Sequence, residues 1–194
     1  GLGSAVAVAV GYALLHRPSR HEAAVAIDEK LNLKEKFSTA LFVRPLDTLT
    51  ARPIVTTTGA DSPFFSPDGS SIGYVDNGEL RRVSSTAGEA TATTITTLPN
   101  RRQRITGASW ADEGFIVFAT FDGVWRVPAT GGTPQRIVEV GENENARALP
   151  QVLPGGQWLL LTVQPTAFRW DDAKIVARSL VNGDEKVLLT DAAD

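Results

Sequence analysis

From Leu41 onward the chain is a succession of short apolar runs cut by turn residues, and one phrase in it occurs three times. A tight turn built from Pro, Asp and Gly opens into an apolar strand: Phe64-Phe65-Ser66-Pro67-Asp68-Gly69-Ser70-Ser71-Ile72-Gly73-Tyr74-Val75, then Ser109-Trp110-Ala111-Asp112-Glu113-Gly114-Phe115-Ile116-Val117-Phe118, then Val152-Leu153-Pro154-Gly155-Gly156-Gln157-Trp158-Leu159-Leu160-Leu161. Gly69 and Gly114 stand 45 positions apart, and Gly114 and Gly156 stand 42. That spacing lies near the period of about 40–45 residues known for four-stranded repeat units. A second landmark keeps the same register. Arg82-Val83 is followed by Gly88 and Arg126-Val127 by Gly132, each glycine five positions after its valine; the third unit is looser, with Ile175–Leu180 leading into Asn182-Gly183.

After each of these glycines comes another short apolar run, at Thr94–Leu98, Arg136–Val138 and Lys186–Leu189. Each unit therefore offers three or four short strands separated by turns, the content of one antiparallel propeller blade. Asn77-Gly78 and Asp122-Gly123 are the strongest hairpin signals, because a type I′ turn needs positive φ at both central residues. The units run over 61–98, 105–140 and 147–190. Leu41–Asp47 and Arg52–Thr56 read as the last one or two strands of an earlier unit.

Ahead of the repeat the pattern changes. Gly1–Leu15 is an uncharged run rich in Ala, Val and Leu, closed by His16, Arg17 and Arg20. A bilayer span takes roughly 20 apolar residues, so the run reads as the C-terminal part of a transmembrane helix. A buried Ala-rich helix and a signal peptide are the alternatives. The basic flank by itself points to a cytoplasmic following segment. In 21–40, apolar residues at 27 and 31 and at 33, 37 and 41 predict a mildly amphipathic helix of mixed charge.

Composition narrows the function classes. With 194 residues and 42% apolar content the chain can build a real core. Its net charge of −3 argues against a nucleic-acid binder, which would present a basic face. It has no cysteine, so disulfide and thiol chemistry are excluded, and no methionine, so it reads as a segment of a longer polypeptide.

The Ser66-Pro67-Asp68-Gly69 turn after paired aromatics, the strand and turn Val124-Trp125-Arg126-Val127-Pro128-Ala129-Thr130-Gly131-Gly132, and the lead-in Val43-Arg44-Pro45-Leu46-Asp47 resemble TolB-like (WD40-like) β-propeller repeats. They are most similar to those that follow the transmembrane helix of bacterial membrane-anchored serine/threonine protein kinases. The resemblance covers about 41–190. It implies a propeller on the extracytoplasmic side, acting as a sensor or interaction module for a cytoplasmic kinase. Two departures stand out. Propellers of that family close with six or more blades, against about three and a half here, and 21–40 is not what the family carries before its first strands. No Gly-rich phosphate loop or His-Arg-Asp segment is present in the chain.

Candidate chemistry is sparse. Pro67, Asp68, Gly69, Asp112, Gly114, Pro154 and Gly156 are read as structural turn residues. The aspartates cap their own turns, and the glycines supply backbone freedom. Trp110, Trp125 and Trp158 lie on repeat strands and are expected between blades, with the indole N–H finding a partner at a sheet edge. Trp170 belongs to the irregular insert Gln164–Asp172, where Phe168, Arg169, Trp170 and Asp171 form the candidate binding loop, since loops on a rigid scaffold carry function. Arg101, Arg102 and Arg104 in a connector are expected to be solvated. Asp171 and Asp172 with Asp184 and Glu185 lack the ligand alternation of a calcium loop. The two histidines, His16 and His21, lie at the N-terminal end, so neither a hydrolytic triad nor a zinc site can be assembled.

The sequence thus predicts an all-β, incomplete β-propeller of about three and a half four-stranded antiparallel blades at 41–194. It is preceded by a partial transmembrane helix with its basic flank at 1–20 and an amphipathic juxtamembrane helix at 21–40. The expected function is non-catalytic binding of a protein, peptide or small ligand at the blade loops, with membrane attachment through 1–15, no cofactor, no metal and no nucleic acid. The alternatives are the propeller of a prolyl-oligopeptidase-type serine peptidase and a periplasmic TolB-like envelope protein.

Overall fold

The computed structural model describes residues 23–26, 40–54, 57–86, 91–102, 104–165 and 171–190. Every regular element among them is a β-strand. Strands β1 (Ala23–Ala26), β2 (Phe42–Pro45) and β3 (Arg52–Pro53) form a first, three-stranded sheet. Three four-stranded sheets follow, each an uninterrupted meander in chain order. The second holds β4 (Asp61–Phe65), β5 (Ser71–Asp76), β6 (Glu79–Ser84) and β7 (Thr93–Thr97). The third holds β8 (Gly107–Trp110), β9 (Phe115–Thr120), β10 (Gly123–Pro128) and β11 (Gln135–Glu139). The fourth holds β12 (Ala146–Val152), β13 (Trp158–Gln164), β14 (Lys174–Ser179) and β15 (Glu185–Leu189). These limits match the units read from the sequence.

The helix expected over 21–40 is corrected. Ala23–Ala26, assigned to the helix of 21–40, is a strand paired antiparallel with β2, Ala23 opposite Pro45 and Ala26 opposite Phe42. The ladder supplies partners for the edge of β2 that β3 does not reach, and an unpaired strand edge is costly where it cannot be solvated. The other residues of 21–40, and the apolar run 1–15 with its basic flank, lie outside the described residues.

The hairpins show how local chemistry sets register. Asp76 pairs with Glu79, leaving Asn77-Gly78 as a two-residue turn with φ of 49° and 74°, as type I′ requires. In the third sheet Thr120 pairs with Gly123, so the turn is Phe121-Asp122 and not the expected Asp122-Gly123. Thr120 Oγ1 donates to the Asp122 carboxylate and accepts from Trp125 Nε1 at 3.1 Å, closing the hairpin one residue early. Gly123 is needed for another reason: a Cβ there would sit 2.6 Å from the Val138 carbonyl oxygen.

Side-chain alternation stacks the sheets face to face. Ile72, Tyr74 and Val83 of the second sheet pack on Leu41, Val43 and Ile54 of the first. On its other face Val75 and Leu80 meet Ile116, Phe118 and Val127 of the third sheet. Phe115, Val117, Ala119 and Val124 then meet Leu159, Leu161, Val163 and Val176 of the fourth. Strand β9 is consequently buried along its whole length, whereas β13 alternates and leaves Trp158 43% exposed. The first strands of the third and fourth sheets are joined directly, Leu149 N–H donating to Thr106 O at 3.2 Å and Val152 N–H to Ser109 Oγ at 3.1 Å.

Candidate functional site

The repeated turns gather at one end of the stack. In each, the glycine N–H closes the turn on the residue three before it: Gly69 on Ser66 O at 2.9 Å, Gly114 on Ala111 O at 3.1 Å and Gly156 on Leu153 O at 3.0 Å. All three glycines have left-handed φ, 70°, 79° and 64°, which side chains with a Cβ rarely adopt. The structure thus brings Pro67, Asp112 and Pro154 to the wall of one cavity, with Trp110, Glu113 and Val152 beside them. That cavity measures only about 20 Å³, room for about one water. It tightens further where Glu113 lies against Gly156, whose Cβ would sit 2.5 Å from the glutamate carboxyl carbon.

Asp68 caps its turn as expected. Its Oδ1 accepts from Ser66 Oγ at 2.6 Å and Ser70 N at 3.0 Å, and its Oδ2 accepts from Ser70 Oγ at 2.7 Å. These bonds, the one from Ser66 first, hold the carboxyl below its ordinary value. Asp112 makes no such bond among the described residues, since Ala111 and Phe115 stand where Ser66 and Ser70-Ser71 offer hydroxyls.

The opposite end carries the hairpin turns Asn77-Gly78 and Phe121-Asp122 and the connectors. Of the candidate binding loop, Phe168, Arg169 and Trp170 lie outside the described residues, and Asp171 is exposed. The connector arginines do more than meet solvent: Arg104 pairs with Asp61 at 2.8 Å and Arg101 with Glu79 at 3.5 Å. Arg101 also packs its backbone on Gly78, where a Cβ would come within 2.7 Å of its carbonyl oxygen. Arg147 is buried and paired with Glu144 at 2.7 Å. Burial alone would raise the Glu144 carboxyl, yet the hydrogen bonds from Arg147 and from Gly141 N–H outweigh it and hold the group below its ordinary value.

Two of the tryptophans lie between sheets. Trp110 and Trp125 pack on the cluster between the second and third sheets, Trp110 with its ring 6.2 Å from Phe64. Trp158 departs from the expectation, because among the described residues no sheet covers its face. Sequence reasoning also passed over a cleft between the third and fourth sheets, lined by Arg126, Ile137, Arg178 and Leu180. The only signal for it was the Arg-Val pair that marks the first two repeats.

Among the described residues no group of three or more His, Asp or Glu side chains is placed to hold a metal ion. No helix among them is long and apolar enough to cross a membrane.

No family model and no curated protein matches the chain. Solved structures do. The putative TolB of Agrobacterium tumefaciens superposes with a TM-score of 0.66 at 19% identity, over 86% of this chain and 61% of that one. TolB of Acinetobacter baumannii gives 0.61 at 20%, over 87% and 40%. The β-propeller domain of the Trilobed protease from Pyrococcus furiosus gives 0.53 at 14%, over 90% and 56%. The chain therefore spans about three-fifths or less of each of these proteins. Identities this low carry the fold alone, and with three consecutive four-stranded meanders stacked face to face they establish it: this chain has a TolB-like β-propeller fold, present as three complete blades and part of a fourth.

Proposed function

We propose that the chain is a non-catalytic recognition module, the sensor or scaffold part of a membrane-anchored bacterial serine/threonine kinase. Its blades supply a rigid frame, and its loops at the end bearing the hairpin turns Asn77-Gly78 and Phe121-Asp122 engage a protein, peptide or small ligand. The observation that carries the binding role is at the hairpin end, which presents an exposed aromatic, Phe121, on a hairpin tip, together with connectors rich in paired charges. Aromatic side chains held on a rigid scaffold are favoured contact residues. The kinase attachment rests on the sequence resemblance, and the extracytoplasmic placement goes with it.

Fold similarity does not fix function, and the similarity to a protease propeller keeps a peptidase-associated role as the second reading. Reading the coding DNA outward from the codons for Gly1 and Asp194 separates them. An in-frame kinase domain upstream with further blades downstream is the expected result. A downstream Gly-x-Ser-x-Gly within an α/β-hydrolase pattern, or a cleavable signal in place of an anchor, would overturn the kinase reading.

A further inference from the structure

The grooves between neighbouring blades differ at their outer ends. Between the second and third sheets, Arg82 Nη1 donates to Ala129 O at 3.5 Å and Gly132 N–H to Ile95 O at 3.3 Å, so the turn after β10 closes onto β7. Between the third and fourth sheets the corresponding groove stays open as a cleft of about 230 Å³. Arg126 and Ile137 line it from one side, and Arg178, Ser179, Leu180 and Gly183 from the other.

Its charges are unevenly paired. Arg126 sits over the Phe115 ring, Cζ 3.8 Å from the centroid, which holds the guanidinium in place, and it makes no ion pair among the described residues. Arg178 lies 3.4 Å from Glu185, but that carboxylate is held more closely by Arg147, at 2.5 Å, and Arg147 pairs in turn with Glu144. Arg147 and Arg178 balance Glu144 and Glu185, so Arg126 is the cation at the cleft with no carboxylate partner among the described residues. The Asp184 carboxylate, next to Gly183, keeps its charge and accepts from Asn182 Nδ2 at 2.6 Å.

We propose that this cleft binds the carboxylate of a small amphiphilic ligand of the kind presented by the C-terminal residue of a peptide. A planar carboxylate matches the guanidinium fork and would lie on Arg126 and Arg178. The ligand's apolar side chain would rest on Ile137 and Leu180. The volume falls below the roughly 300 Å³ where sites for drug-sized ligands begin, so it suits a single residue. This site is separate from the loop end discussed above, and the two ideas fail independently.

The test is a titration of the full chain with N-acetyl-leucine, followed by amide shifts in an NMR spectrum, with N-acetyl-leucinamide and inorganic phosphate as comparison probes. The expected result is millimolar binding that moves Ile137, Leu180 and Gly183, is absent for the neutral amide, falls at least tenfold in Arg126→Gln and is unchanged in Arg82→Gln. Arg178→Gln should match Arg126→Gln; if it disturbs the fold through Glu185, the exposed Arg126 variant decides. No shifts with N-acetyl-leucine, equal binding of the amide, or undiminished binding by Arg126→Gln would overturn the proposal. Phosphate binding as tightly as N-acetyl-leucine would overturn its apolar half.

Discussion

Single residues in this chain act mainly through turns and buried polar atoms. Asp68 gains three hydrogen bonds that its counterparts in the other blades lack, because Ser66 and Ser70 are serines only there. Its carboxyl is held below the ordinary value in the folded state, so its contribution is present above the unfolded value and is lost as pH falls through the folded one. Asp68→Asn should cost about 0.5–1 kcal/mol near neutral pH, an exposed turn keeping the effect small. The gap from the parent should close below about pH 4, as read by urea unfolding across pH. Tyr74 works in the opposite direction. Its ring is fully buried, and its hydroxyl has no hydrogen-bond partner among the described residues. Removing an unsatisfied buried donor relieves a desolvation cost, so Tyr74→Phe should be neutral or stabilising by up to about 1 kcal/mol in the same assay. A loss of more than that would mean the hydroxyl has a partner.

At the scale of elements, the alternation of each strand decides what a substitution costs. Leu161 lies in the core between the third and fourth sheets, while its neighbour Leu160 faces away and is half-buried. Leu161→Ala should therefore cost about 2–5 kcal/mol and Leu160→Ala about 1 kcal/mol or less, compared by denaturant midpoints. Equal losses would contradict the stacking described for β13. Much of this level was legible beforehand, since the thrice-repeated turn carries its own chemistry: a left-handed glycine closing on the residue three before it can be recognised in one copy and checked in two more. What escaped was decided by tertiary contacts. The turn at Phe121-Asp122 follows from the Thr120–Trp125 hydrogen bond across the hairpin. Ala23–Ala26 pairs with β2 against its own helical pattern. The open cleft at Arg126 follows from how two blades meet at one outer edge, which no local pattern encodes.

For the molecule as a whole, the end sheets are the informative parts. The third sheet is packed on both faces, but among the described residues the far face of the fourth has no partner, and Trp158, Leu188 and Leu189 are exposed at 43%, 47% and 56%. The first sheet has three strands where the others have four. Repeat stacks draw their stability from neighbour interfaces and need covered ends, and open sheet edges invite pairing between molecules. The isolated chain should accordingly be only marginally stable and should self-associate as its concentration rises. The most direct test of this account, an arc of blades with an uncovered final face, is thermal unfolding of the chain followed over a wide range of protein concentration. The account predicts a broad transition whose midpoint depends on concentration. A sharp two-state transition of a monomer, with the same midpoint at every concentration, would contradict it.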